Sequence, residues 1–374
     1  MKTINRRQWL KNAGLTGSLA LLGGYPSLQA EPKGIPAAGN KPGKLIRLSS
    51  NENPFGPSPA VREVIMQSLD DACRYPWTYA DELVDAIARK EGVGHESVVL
   101  TGGSTEGLKI AGLTYGLDGG EIIAADPTFQ ALLTYAEEFG AYVHRVPLND
   151  NKQHDLPEME KKVTGNTRLI FICNPNNPTG TLLPGETVRS FCKRLSAGTM
   201  VFSDEAYYDY ITTSGYPSMV SLVKEGLNVI VSRTFSKVYG LAGLRIGYLL
   251  ARPDIAQRLR QRVVAFTNVL AIRAARAALD DQEFYQFSLQ KNEEAKSYLY
   301  QQFERMGLPF IPSHANFVFF RTGKNIADLI REMRDQGILI GRPFPPEYNW
   351  CRISTGRMED MEQFISGLKK VLEG

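Results

Sequence analysis

Apolar residues along this chain recur in two rhythms. Short runs at residues 97–100, 121–125, 168–173, 200–203, 229–232 and 245–250 have the length and β-branched content of strands buried on both faces. Between and before them lie stretches with helical spacing, at 60–69, 80–90, 106–115 and 185–195. Alternation of the two predicts an open α/β sheet with helices on both faces, and hence a mostly parallel sheet in a three-layer domain. Beyond residue 268 the rhythm changes to one long helical stretch through 303. Shorter strands then follow at 315–320, 338–340 and 350–354, with helices at 326–336 and 358–372. The expected organisation is a large domain over 61–265, a smaller α+β domain over 266–374, and a Pro/Gly-rich arm over 31–60 joining the small domain.

Length agrees with this division, because 374 residues exceed what one core usually serves. A hydrophobic content of 43% with 22% charged residues is that of an ordinary globular protein. Residues 1–30 carry Lys2, Arg6, Arg7 and Lys11 and no acid, and removing those four leaves 39 basic against 40 acidic residues. The body of the chain therefore has no basic excess, which argues against nucleic acid or an anionic membrane surface as a partner. The same N-terminal stretch, Asn5-Arg6-Arg7-Gln8-Trp9-Leu10-Lys11 followed by a mildly apolar segment at 13–22, resembles a twin-arginine export signal with cleavage after Ala30. It predicts periplasmic export through the twin-arginine machinery; an N-terminal helix of the mature fold and an uncleaved anchor stay open. Cys73, Cys173, Cys192 and Cys351 show neither disulfide nor metal spacing and read as core thiols, and no metal site is expected.

The chemistry concentrates where apolar runs end. Lys237 follows the run at 229–232, in Ser236-Lys237 with Arg245 eight residues on. A lysine in dry surroundings has a lowered pKa, and its neutral amine can form a Schiff base with an aldehyde. Ser236 and Arg245 could hold a phosphate beside it. A plain solvated lysine is the competing reading. The segment Asn174-Pro175-Asn176-Asn177-Pro178-Thr179-Gly180 is stiffened by two prolines, so Asn177 is presented with little freedom as a donor to a phenolate-like oxygen, although such residues also build plain turns. Asp204 ends the run at 200–203, where a carboxylate in low dielectric would keep a pyridine nitrogen protonated, and Tyr207 could bond the ring's phenolic oxygen. A turn cap remains the alternative for Asp204. Gly103, Ser104 and Thr105 open a helix and could cradle a phosphate, although an ordinary N-cap reads the same way. Phe129 could stack on a flat cofactor or sit in the core.

In chain order these motifs resemble the fold type I pyridoxal-phosphate-dependent aminotransferases of class I and II, in the branch of the histidinol-phosphate aminotransferases, from Ser49-Ser50-Asn51-Glu52-Asn53-Pro54-Phe55-Gly56 to the C-terminus. The resemblance implies pyridoxal 5'-phosphate as cofactor. It implies Lys237 as Schiff-base lysine and proton shuttle, Asp204 as partner of the ring nitrogen, and Asn177 and Tyr207 as partners of the phenolic oxygen. Gly103, Ser104, Thr105, Ser236 and Arg245 match the phosphate cup, with Phe129 beside the ring. Arg352, Arg342 and Asn53 are implied on the substrate side. Tyr75 corresponds to a residue that reaches the neighbouring subunit's cofactor, implying a homodimer with shared active sites. Substrates would be an amino acid, or an amino-alcohol phosphate, and a 2-oxo acid. Two departures point towards a different amino acid or amine as donor: residues 31–48 hold no tyrosine, and Thr105 stands where the family often has an acid. A racemase, β-lyase or decarboxylase would use the same groups. A non-catalytic binding protein would not need Lys237, Asp204 and Tyr207 together.

Overall fold

Strand β1 (Ile46–Arg47) opens the part of the chain that the computed structural model describes, residues 45–373. The proposed export signal lies outside those residues. The central sheet follows: β2 (Val98–Thr101), β3 (Glu121–Asp126), β4 (Tyr142–Pro147), β5 (Thr167–Cys173), β6 (Met200–Asp204), β7 (Val229–Thr234) and β8 (Gly247–Ala251). Their order is β2-β8-β7-β6-β5-β3-β4, with β8 antiparallel to both its neighbours and the other pairs parallel. Alternate residues of each strand enter opposite cores. Ile170, Ile172, Val201, Val229 and Val231 face one layer of helices, while Leu169, Phe171, Phe202, Ile230 and Leu249 face the other. Burial on both faces is why these strands read as unbroken apolar runs. The expected α/β three-layer architecture with a mostly parallel sheet is what the chain adopts.

A second region is built on β9 (Phe310–Ile311), β10 (Phe317–Arg321), β11 (Ile338–Leu339) and β12 (Trp350–Ser354). The three-stranded sheet β12-β10-β9 is antiparallel, and β11 pairs in parallel with β1. Its separate core takes Leu48 from the arm, Ala295, Leu299 and Phe303 from a long helix, and Phe320, Leu329 and Phe364. All described residues belong to one compact unit.

Four details differ from expectation, each for a local reason. Strand β4 has no apolar run because it is an edge strand that alternates exposed and buried positions, with His144 and Arg145 among them. The run at 245–250 yields a strand only from Gly247, because Arg245 turns through the left-handed region at φ +59°. The long helical stretch is two helices, Val269–Asp280 and Gln282–Arg305, since Asp281 leaves helical geometry and its carboxylate caps the second by accepting from the Phe284 amide at 3.0 Å. The first of these helices packs Ala271, Ile272 and Ala275 into the core of the large sheet. Finally, Cys73 is an exposed thiol, not a core one, because it ends the short polar turn Leu69–Cys73, which buries no residue.

Candidate active site

The carboxyl ends of β5, β6 and β7 converge with the arm and β12 on one pocket, as ligand sites in open α/β sheets do. Lys237 lies just past β7, and its Nζ donates to the carbonyl oxygens of Asn51 at 2.9 Å and Ser50 at 3.4 Å. The amine also stands 5.5 Å from the centre of the Tyr207 ring. Burial, reinforced by the positive charges of Arg352 and Arg245, lowers its pKa to about 7. A neutral amine acting as nucleophile or base near neutral pH is the chemical consequence.

Asp204 ends β6 with 3% of its surface exposed. Its Oδ1 accepts from the Ser232 hydroxyl at 2.6 Å and the Ala206 amide at 3.3 Å. Burial pushes the carboxyl up to about 6, opposed by the Ser232 hydrogen bond. A carboxylate held this dry favours any cationic N–H brought to it. Buried Tyr207 receives a hydrogen bond from Asn51 Nδ2 at 2.9 Å and meets Phe317 edge-on at 5.2 Å, and burial raises its phenol above the ordinary range. Asn177 Oδ1 accepts from Arg352 Nη1 at 2.6 Å. The loop carrying Asn177 is fixed through its neighbour. Asn176 Oδ1 accepts from Thr128 Oγ1 at 2.7 Å and lies 3.1 Å from His154 Nε2, and its Nδ2 donates to Pro127 O at 3.2 Å. That network ties the Asn177 loop to the loop carrying Phe129, which packs half-buried on the second core.

At the other end of the pocket Gly103 precedes the helix Ser104–Gly116. Its φ of +89° suits glycine, and a Cβ there would come within 2.4 Å of Arg245 Nη2. Arg245 also donates to Gly102 O at 3.2 Å and Ala242 O at 2.8 Å, and its Nη1 is 3.5 Å from Ser236 Oγ. A helix N-terminus and a guanidinium thus meet at one spot that could receive an anion, beside Glu106, whose Oε2 accepts from the Gly102 amide at 2.5 Å.

On the β12 side, Arg352 donates to Ser49 O at 2.7 Å while its buried Nε has no partner among the described residues. Arg352 and Arg342 lie 4.9 Å and 4.4 Å from the centre of the Phe344 ring. Burial lowers the pKa of both, Arg352 to about 10. The Arg352 guanidinium is buried, with Arg342 exposed beside it, and the pair could meet an anionic group.

Two expected residues stand apart. Asn53 spends its amide on Val238 O at 2.8 Å and Ser288 Oγ at 3.0 Å, and its Oδ1 on the Phe55 amide, so it fastens the arm and offers no free polar atom to a substrate. Tyr75 is 75% exposed, stacked on Trp77, which in turn meets Phe266. Asn51 is the residue that sequence reasoning passed over. With φ +54° it holds Tyr207 through its side chain and Lys237 through its carbonyl, and it is itself held by Ser354. Its place in the polar Ser49-Ser50-Asn51-Glu52-Asn53-Pro54 segment was the only local signal.

The class I and II aminotransferase family matches residues 43–368 of the chain. Histidinol-phosphate aminotransferases of Moorella thermoacetica and Halalkalibacterium halodurans are 40% and 37% identical to it, over 88% of this chain and 86% and 89% of their own. The solved structure of histidinol-phosphate aminotransferase from Sinorhizobium meliloti in complex with pyridoxal-5'-phosphate superposes with a TM-score of 0.82 at 30% identity, covering 88% of this chain and 91% of that one. Fold, pocket and matched length agree, and the chain belongs to the class I and II aminotransferase family.

Proposed function

We propose that this chain is a pyridoxal-phosphate-dependent aminotransferase moving an amino group between an anionic amino donor, an amino acid or amino-alcohol phosphate, and a 2-oxo acid. The observation that carries the reading is a lowered-pKa lysine held on backbone carbonyls in a pocket shared with a buried carboxylate. The residues fit the cofactor: Gly103 leaves room where a Cβ would strike Arg245, and Asp204 offers a buried carboxylate to a ring N–H. When bound, pyridoxal phosphate supplies an aldehyde for covalent capture of amines and a ring that stabilises the electron pair left by the α-proton.

The chain's own groups do the rest. Lys237 Nζ removes the proton from the substrate's α-carbon and returns it. With the cofactor bound, Asp204 would keep a proton on the ring nitrogen, Tyr207 and Asn177 would hold the phenolic oxygen, Phe129 would lie beside the ring, and Gly103, Ser104, Thr105, Ser236 and Arg245 would hold the phosphate. Arg352 and Arg342 receive the substrate's anionic end. The relatives named histidinol-phosphate aminotransferase support an amino-alcohol phosphate as donor. The missing tyrosine in residues 31–48 and Thr105 support another amino acid or amine as donor instead. The test is donor profiling with histidinol phosphate and a panel of amino acids. The expected result is conversion of the bound cofactor to its amine form by an anionic donor and recovery with a 2-oxo acid. Release of carbon dioxide or racemised substrate without that conversion would replace transamination by another reaction of the fold.

Two further readings belong here. The exposed cluster Tyr75, Trp77, Val264 and Phe266 supports a homodimer in which Tyr75 reaches the partner's site, and sedimentation at graded concentrations tests it. The Arg6-Arg7 segment supports twin-arginine export to the periplasm, and fractionation of cells carrying Arg6→Lys with Arg7→Lys tests that.

A further inference from the structure

Cys173, Asp204 and Ser232 occupy one row across three adjacent parallel strands, since Asp204 is in register with Cys173 of β5 on one side and with Ser232 of β7 on the other. The carboxylate is thereby flanked by two donors. Ser232, wholly buried, points its hydroxyl at Asp204 Oδ1 from 2.6 Å, and the Cys173 thiol stands 4.0 Å from Oδ2. Asp204 Oδ1 is the one acceptor of the Ser232 hydroxyl among the described residues. A hydroxyl in an otherwise apolar run, Val229-Ile230-Val231-Ser232, would be costly to bury without this partner.

We propose that Ser232 is a positioning residue that keeps Asp204 the weaker base of the carboxylate–pyridine pair, so that the shared proton rests on the ring nitrogen of the cofactor. The inference rests on the pyridoxal phosphate reading given above. A hydrogen bond donated to a carboxylate stabilises its charged form, and without it a dry carboxylate competes for the proton. The other groups facing Asp204 are Lys237 past β7, Cys173 on β5, Tyr207 one turn on, and its neighbour Glu205, which is paired with Arg233 at 2.8 Å. Lys237 favours the anion and Glu205 opposes it, and of the two neutral side-chain donors Ser232 is the near one, at 2.6 Å against 4.0 Å for Cys173, so altering it changes the hydrogen bond without changing a charge.

The experiment has two arms. Infrared difference spectra of apoenzyme, taken against Asp204→Asn, follow the Asp204 carboxyl through its titration. In Ser232→Ala the midpoint should rise by about one pH unit, the scale of one charge-assisted hydrogen bond. Ser232→Cys, a weaker donor of similar shape, should fall between the two. In the second arm, pyridoxal phosphate labelled at the ring nitrogen is bound and read by NMR. Its resonance should move towards the unprotonated value in Ser232→Ala. An unmoved midpoint in folded Ser232→Ala, or a value for Ser232→Cys no lower than that for Ser232→Ala, overturns the proposal. Failure of the wild type to take up the labelled cofactor overturns the cofactor reading instead, while the first arm still decides whether Ser232 governs Asp204.

Discussion

The two ends of the pocket are held in different ways. Around Asp204, Tyr207 and Asn177, each polar group is buried and bonded to a neighbour fixed by strand register or by a second hydrogen bond. Around Gly103 and Arg245 the groups are more open to solvent. Arg245 lies at the surface, and its approach to Ser236 is 3.5 Å. The difference follows from what each end must recognise. A ring nitrogen and a phenolic oxygen need one donor or acceptor at one place, whereas a phosphate's charge is spread over several oxygens and is met by a helix terminus and a planar fork.

The harshest way to break the comparison is Lys237→Ala, which serves both ends. Transamination should fall to background and no cofactor should be trapped by reduction, while thermal unfolding stays within a few degrees. Measurable turnover would discard the assignment. In wild-type apoenzyme, covalent capture of pyridoxal phosphate should accelerate as pH rises through about 7, because the amine is neutral above that value. Folded Lys237 binds fewer protons than unfolded Lys237 between about 7 and the ordinary value of 10.5, so its contribution to stability improves with pH across that window.

Asp204→Asn probes the rigid end alone. Its rate should drop by roughly a hundredfold to a thousandfold with the cofactor still bound, the effect of losing one preorganised electrostatic partner. An unchanged rate would leave Asp204 a turn cap. Arg352→Lys retains charge and loses the fork, so the substrate KM should rise by about tenfold or more with little change in cofactor affinity. Equal losses in both would mark Arg352 as structural. Gly103→Ala tests the more open end. The added methyl meets Arg245 in a left-handed backbone, so cofactor affinity should weaken by about tenfold and stability by about 1 kcal/mol, both seen by titration and thermal melting. A cofactor affinity equal to wild type would show that Arg245 is free to swing aside.

Legibility follows the same division. Asp204 and Asn177 could be read because each ends a buried apolar run at a turn, a signal contained within a few residues. Lys237 and Arg245 share one connection between β7 and β8, so their nearness was local too. Asn51 was out of reach of such reasoning. Its partners Tyr207 and Lys237 are 156 and 186 residues away, and no periodicity reports a contact of that span. Ser232 was taken as the end of an apolar run, because only strand register puts its hydroxyl beside Asp204. The division of residues 268–303 into two helices turned on one aspartate whose capping role looks the same in sequence as a surface charge.

The bond between Asn51 and Ser354 joins residues 303 apart, as does that between Ser49 and Arg352. During translation the arm is made some three hundred residues before β12. The large sheet can assemble while the ribosome is still at work, bringing Lys237, Asp204 and Arg245 together. The clasp that fixes Asn51 has to wait for β12 to emerge. A nascent chain therefore holds an open, unclasped site until β12 has been made.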